Sequence, residues 1–263
     1  MMLKPGMLGL LIFAALAGSV MAFISAALGL RRLGSVFFAA GFAAAAGAIG
    51  VRWSELGRPP LKNLFEIFLC LGAAVYPLSL LCRRALGTDS QATDALIAGV
   101  VLVPAVFVFP AGEGGLPPAL QSPLFIPHVA SYLLAYVVMA MAGVSAWRTL
   151  AAVAWGTQAQ AEARERATFR LVRLGLPLMT LGLVLGAFWG KLAWGDWWNW
   201  DPKELWSLAG WLVFVGYLHA RKVWRRRRAL NSVIVLAGAL LVAITLVWVN
   251  LSRLFQGLHN YAS

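Results

Sequence analysis

RRRRALNSVIVLAGALLVAITLVWVN, residues 225–250, sets four arginines directly before an uncharged, mostly apolar run. A run of about 20 such residues is what a helix needs to cross the ~30 Å hydrocarbon core of a bilayer. An arginine cluster at its edge reads as a cytoplasmic flank touching anionic lipid. Working outward, apolar runs of spanning length recur at 7–30, 34–51, 63–82, 94–109, 128–147, 174–193 and 203–220. The expected fold is therefore all-α: a polytopic integral membrane helical bundle of about eight transmembrane helices, with 94–109 the shortest. The chain is 61% hydrophobic and only 12% charged over 263 residues, which excludes an ordinary water-soluble domain. Eight spans leave little chain for anything else, so one integral domain covering 1–263 is expected. The first run is too long, and too closely followed by a second, to read as a cleaved signal peptide.

Orientation follows from the basic residues. Of the 22 Lys and Arg, fifteen fall in one set of alternate loops, among them Arg31, Arg83, Arg164, Arg221 and the arginines at 225–228; seven, from Lys4 to Arg253, fall in the other. By the positive-inside rule both termini lie on the outer side. The formal charge of +12 is thus topological, with lipid as the partner and no nucleic acid. The loop 110–127, the tryptophan-rich segment after 193 and the tail 251–263 all become outer-face features. The polar stretch 154–170 reads as an inner connection or a helical extension of the fifth span. Cys70 and Cys82 share one apolar stretch without a C-x-x-C pattern, so neither a disulfide framework nor a thiol redox site is indicated.

Six of the twelve tryptophans sit in 194–211: Trp194, Trp197, Trp198, Trp200, Trp206 and Trp211. An interfacial aromatic belt accounts for one or two indoles at a helix end. Four in one outer loop suggest instead a flat apolar wall suited to a large planar ligand. Asp201-Pro202-Lys203-Glu204 reads as an N-cap, a first-turn proline and a capping glutamate, and Asn63 with Glu66 repeats the pattern at the third span. Arg58 and Lys62, in the turn between, either reach a ligand's carboxylates or snorkel to the interface. Three histidines complete the set. His128 opens the fifth span and His259 follows the eighth, both on the outer face, which makes an axial pair for a haem iron credible. His219 lies about 25 Å further along the seventh helix, at ~1.5 Å per residue, near its cytoplasmic end; it is either a second ligand station needing a partner's histidine or a snorkelling side chain.

The string Trp194-Gly195-Asp196-Trp197-Trp198-Asn199-Trp200-Asp201-Pro202-Lys203-Glu204-Leu205-Trp206 resembles the WWD signature of the haem-handling proteins of cytochrome c maturation. Within that superfamily it is most similar to the CcsA (ResC) family of the system II cytochrome c synthase. Gly57-Arg58-Pro59-Pro60-Leu61-Lys62-Asn63-Leu64-Phe65-Glu66 is similar to that family's outer loop, with Phe65 where tyrosine is usual. Tyr217-Leu218-His219 and Gly257-Leu258-His259-Asn260-Tyr261 match its later histidine motifs, so the likeness runs from about residue 50 onward. Asp196 and Asn199 replace small residues often seen in the signature.

The resemblance implies that His128 and His259 flank a non-covalent haem b in transit, which is also the substrate, and that His219 ligates it on its way across. Trp194, Gly195, Trp197, Trp198, Trp200, Asp201 and Trp206, with Arg58 and Asn63, are the implied binding residues, and His128, His259 and Asp201 the implied catalytic ones. It further implies a cytochrome c synthase (haem lyase) subunit of the bacterial inner membrane, active at the periplasmic face with a CcsB/ResB-type partner. The other partners implied are an apocytochrome c bearing CXXCH and thiol-reducing proteins of the outer compartment. The rivals are a system I-type protein passing haem to a chaperone, a b-type electron-transfer protein and a haem-free scaffold.

Overall fold

A computed structural model of the chain describes residues 6–112, 114–251 and 257–259. Lys4, Arg253, Asn260 and Tyr261, used in the readings above, lie outside them. Among the described residues the regular elements are all helical: α1 (Gly6–Ala27), α2 (Arg31–Leu56), α3 (Leu64–Leu86), α4 (Gln91–Phe107), α5 (Phe125–Trp155), α6 (Gln158–Trp194), α7 (Pro202–Val223) and α8 (Arg228–Ala243), with a 3-10 turn at Pro118–Gln121. α8 continues through one π-helical turn, Ile244–Trp248, into a last turn, Val249–Leu251. Among the described residues six helices are long and apolar enough to cross a membrane: α1, α2, α3, α5, α6 and the continuous Arg228–Leu251. With α8 taken together with its continuation to Leu251, α4, at 17 residues, is the shortest of the eight, as the sequence suggests.

The chain divides into two compact units, one ending at Pro117 and one beginning at Pro118. In the first, α1 packs along α2 and α4, and α3 along α4. The crossing of α1 and α2 is close enough that a Cβ on Gly18 would stand 2.7 Å from the Gly41 Cα, the small-residue contact by which membrane helices gain packing without a hydrophobic driving force. Tyr76 of α3 lies 5.1 Å from Phe38 and 5.3 Å from Phe42 of α2, ring centre to ring centre. The start of α4 is tied down by side chains: the buried Asp94 carboxylate accepts from the Ser79 and Ser90 hydroxyls, and Gln91 accepts from Arg83 while donating to the Arg31 carbonyl.

In the second unit α5 and α6 form a long antiparallel pair joined through Gly156 and Thr157, and α8 packs on α5 and α7. Thr157 caps α6 in a reciprocal box with Gln160. At ~1.5 Å per residue the 37 residues of α6 extend about 55 Å, well beyond a hydrocarbon core. Of the polar stretch 154–170, only residues 154 and 155 extend the fifth helix; 158–170 is no loose connection but the first part of α6. It is held there by charge. Glu165 accepts from Arg221, whose guanidinium lies 3.6 Å over the Phe169 ring, and Glu162 pairs with Arg228.

Candidate functional site

Both polar caps read from the sequence form, and each does more than start a helix. Asn63 accepts the Glu66 N–H at the head of α3. The Glu66 side chain is fully buried, and its carboxylate receives the Arg52 and Arg58 guanidiniums, the Lys62 N–H and the Asn63 amide. Arg52 also donates to the carbonyls of Ala111 and Gly112, and Asn63 to Ala111. Glu66 thereby ties the turn before α3 to the segment that follows α4. Arg58 and Asn63, expected to reach a ligand, are both engaged by this buried carboxylate within the first unit.

In the second unit, Asp201 accepts the Lys203 N–H while Glu204 accepts the Asn199 and Asp201 N–H groups, and Pro202 stands at the first helical position. The same Asp201 oxygen lies 2.9 Å from His259 Nδ1. Lys203 secures the tail from the other side, its ammonium donating to the His259 carbonyl at 2.8 Å. Gly257 leaves room for this approach, since a Cβ there would overlap the Asp201 carboxylate. Burial alone raises the Asp201 pKa, but the hydrogen bond and charge of His259, with the N–H groups of Lys203 and Leu258, outweigh it and hold the carboxyl down to about 2. Asp201 is thus an ionised acceptor that requires the proton of His259 to sit on Nδ1.

His128 is positioned in a parallel way. Its Nδ1 lies 2.9 Å from the Gly182 carbonyl of α6, which can only accept. The imidazole stacks on Trp189 at 5.7 Å and 16°, with Tyr132 edge-on at 5.3 Å. Trp189 also touches His259 at 5.5 Å and Trp194 at 4.6 Å, and Trp194 meets His259 edge-on at 4.5 Å. The indole is 2% exposed, and its Nε1 donates to the Ala119 carbonyl in the 3-10 turn. Two histidines 131 positions apart in the chain are thus packed against one anchored indole. Both hold Nδ1 in a hydrogen bond, and neither Nε2 is bonded to protein among the described residues. An imidazole so arranged offers Nε2 as a metal donor, the partner on Nδ1 setting tautomer and basicity.

The tryptophan segment divides by exposure. Trp197 and Trp200 are exposed, with Trp197 edge-on to Phe188 at 4.9 Å, whereas Trp194 and Trp198 are half-buried. Gly195 ends α6 in the left-handed conformation at φ 90°, where a side chain is disfavoured. Trp200 holds φ 57°, a backbone region unusual for a bulky residue. Trp206 is half-buried on the second turn of α7, and Trp211 donates to Thr180 of α6. His219 lies at the far end of α7, exposed and without a hydrogen bond among the described residues.

Sequence reasoning missed Trp189, Gly182, Gly186 and Lys203. Trp189 reads as one more apolar residue of a span, and Lys203 as part of a cap. The spacing of Gly182 and Gly186 was a legible signal, but one that speaks of helix packing in general.

A family model described as "Cytochrome C assembly protein" matches residues 6–259. The chain is similar to the "Cytochrome c biogenesis protein CcsA" of Microcystis aeruginosa, 31% identical over 296 residues that cover 87% of each protein. It is similar also to that of Synechococcus elongatus, 28% identical over 291 residues with 89% of this chain and 88% of the relative covered. The protein of the same name from Gloeobacter violaceus is 28% identical over 300 residues, covering 88% and 87%.

Proposed function

The chain belongs to the cytochrome c assembly protein family, and from that premise we propose that it carries haem b to the outer membrane face and holds it there for attachment to apocytochrome c. The observation that carries this reading is the pair of imidazoles, His128 and His259, each anchored through Nδ1 and offering Nε2 beside one indole. Iron already held by four pyrrole nitrogens takes two such axial donors. The exposed faces of Trp197 and Trp200 supply flat apolar surface of the kind a porphyrin lies against. The family match runs through both units, which supports one functional domain over 1–263; with eight spans crossing a bacterial inner membrane, the basic-residue asymmetry supports a site on the periplasmic face.

The chemistry asked of the chain is positioning. At each haem vinyl a cysteine S–H of the CXXCH segment adds across the C=C bond, giving a C–S bond on one carbon and a C–H bond on the other, with no net gain or loss of electrons. No side chain has to leave or be consumed; the thiols have only to be reduced and held beside the vinyls. The substrate's own histidine replaces one axial imidazole. A carboxylate behind His259 strengthens it as a donor, while a neutral carbonyl backs His128. His219, exposed on α7, suits a ligand shared with a CcsB-type subunit, and thiol-reducing proteins of the outer compartment keep the cysteines reactive.

The test is an absorption spectrum and pyridine haemochrome assay on the detergent-purified protein, with and without a CcsB-type partner. A low-spin, non-covalent b-type spectrum is expected, altered in His128→Ala and His259→Ala and partly restored by imidazole, with cytochrome c yield abolished in both. A colourless folded protein, or unchanged spectra in both variants, overturns the reading.

A further inference from the structure

Gly186 lies on the face of α6 that meets the first turn of α5. A Cβ at this position would stand 2.6 Å from Cε1 and 2.9 Å from Nδ1 of His128, inside any distance a real side chain tolerates. One turn earlier, a Cβ on Gly182 would fall 2.8 Å from the Tyr132 ring, the ring that meets His128 edge-on. One turn later, Trp189 stacks on the His128 imidazole. The Gly182 carbonyl accepts from Nδ1 at 2.9 Å. The imidazole is therefore bounded on the α6 side by a missing side chain, on one face by an indole, on its edge by a phenol and at Nδ1 by a carbonyl. We infer that Gly186 is a positioning residue for haem ligation: its lack of a side chain seats His128 where Gly182 holds the proton on Nδ1 and leaves Nε2 for iron.

This rests on the reading of His128 as an axial ligand, and the physical step is short. Cε1 and Nδ1 form the ring edge nearest the Gly186 Cα, so a methyl there pushes that edge away from α6. The Nδ1 to Gly182 bond then breaks, the proton is free to move to Nε2, and the donor orbital loses its direction. The cost falls on ligation and not on the helix, because alanine is the better helix former.

Four proteins are compared: wild type, His128→Ala, Gly186→Ala, and Gly50→Ala, the last at a helical glycine with open space where its Cβ would go. In haem-free protein carrying 15N-labelled histidine, wild type and Gly50→Ala show His128 as the Nδ1–H tautomer, and Gly186→Ala loses that signature. In haem-loaded protein, Gly186→Ala shifts the low-spin spectrum toward a five-coordinate one, retains haem about 10- to 100-fold less well, as for lost outer-sphere support, and recovers with added imidazole. An Nε2–H tautomer in wild type overturns the inference without recourse to any variant. So does a Gly186→Ala protein that keeps both the tautomer and the low-spin spectrum. If instead His128→Ala leaves the haem spectrum unchanged, the ligand reading itself fails, and the tautomer measurement still shows whether the seat exists.

Discussion

Asp201 does two jobs with one carboxylate, closing the cap of α7 and fixing the ring of His259. The two can be separated, because asparagine caps a helix about as well as aspartate but brings no charge to the imidazole. Asp201→Asn is expected to express and insert normally, to keep α7, and to show weaker haem retention and a raised iron reduction potential, read by spectroelectrochemistry. An unchanged potential would reduce Asp201 to a cap. The charge also has a pH signature. With its folded pKa held at about 2, below an unfolded value of ~3.9, Asp201 contributes stability that is complete above about pH 4 and is lost as pH falls through 2. Unfolding of the haem-free protein followed between pH 2 and 7 therefore has a slope at its acid end that Asp201→Asn flattens, and none from this group between pH 5 and 7.

The short segment between α6 and α7 is shaped by its two ends, Gly195 and the Asp201 cap, and strain is left between them at Trp200. A left-handed conformation at a bulky residue costs about 1–3 kcal/mol and persists where the surroundings impose it. Trp200→Gly is expected to raise the unfolding temperature in detergent while lowering haem occupancy, since the strain and the exposed indole go together. Greater stability with undiminished haem would remove Trp200 from the binding surface. In the first unit the dominant polar element is Glu66. Glu66→Gln leaves two buried guanidiniums facing a neutral group, a change on the order of 3–5 kcal/mol where a buried pair is broken outright. The expected result is earlier unfolding and protease cutting in 108–117, and wild-type resistance there would show that Glu66 does not hold that segment. Element boundaries were largely legible: the caps at Asn63 and Asp201, the short α4 and the start of α7 all follow from local residue types. The first half of α6 was not, because polar residues beside a span read as a connection. What makes it helical is the Thr157–Gln160 box and the ion pairs of Glu162 and Glu165, which a hydropathy pattern does not register.

At the scale of the molecule the two ends of α7 have different expected tasks, with Asp201 at one and His219 at the other. His219→Ala is expected to deplete haem at the outer site of protein purified from cells while leaving its ligands intact, so that haem added to the purified variant restores the spectrum. Full outer loading in cells would return His219 to an interfacial side chain. The apolar runs carried most of the architecture, because burying twenty consecutive residues in lipid is a property of each segment taken alone. The resemblance at 194–206 then pointed to the family to which the chain belongs.

The sequence by itself determined most of the helices, the caps at Asn63 and Asp201 and the chemical character of the tryptophan-rich segment, since each depends on residues within a turn or two of one another. It named Asp201 and paired His128 with His259 as candidate ligands, but had no means of finding the contacts that hold them. Only the tertiary structure decided that Asp201 meets His259, that a glycine carbonyl meets His128, and that Trp189 stands against both rings. Those contacts link residues 54 to 70 positions apart, through the antiparallel packing of α5 on α6 and the return of the tail to the head of α7. Such distances are set by which helix faces fit together, and that information is spread over whole surfaces and not written in any one motif.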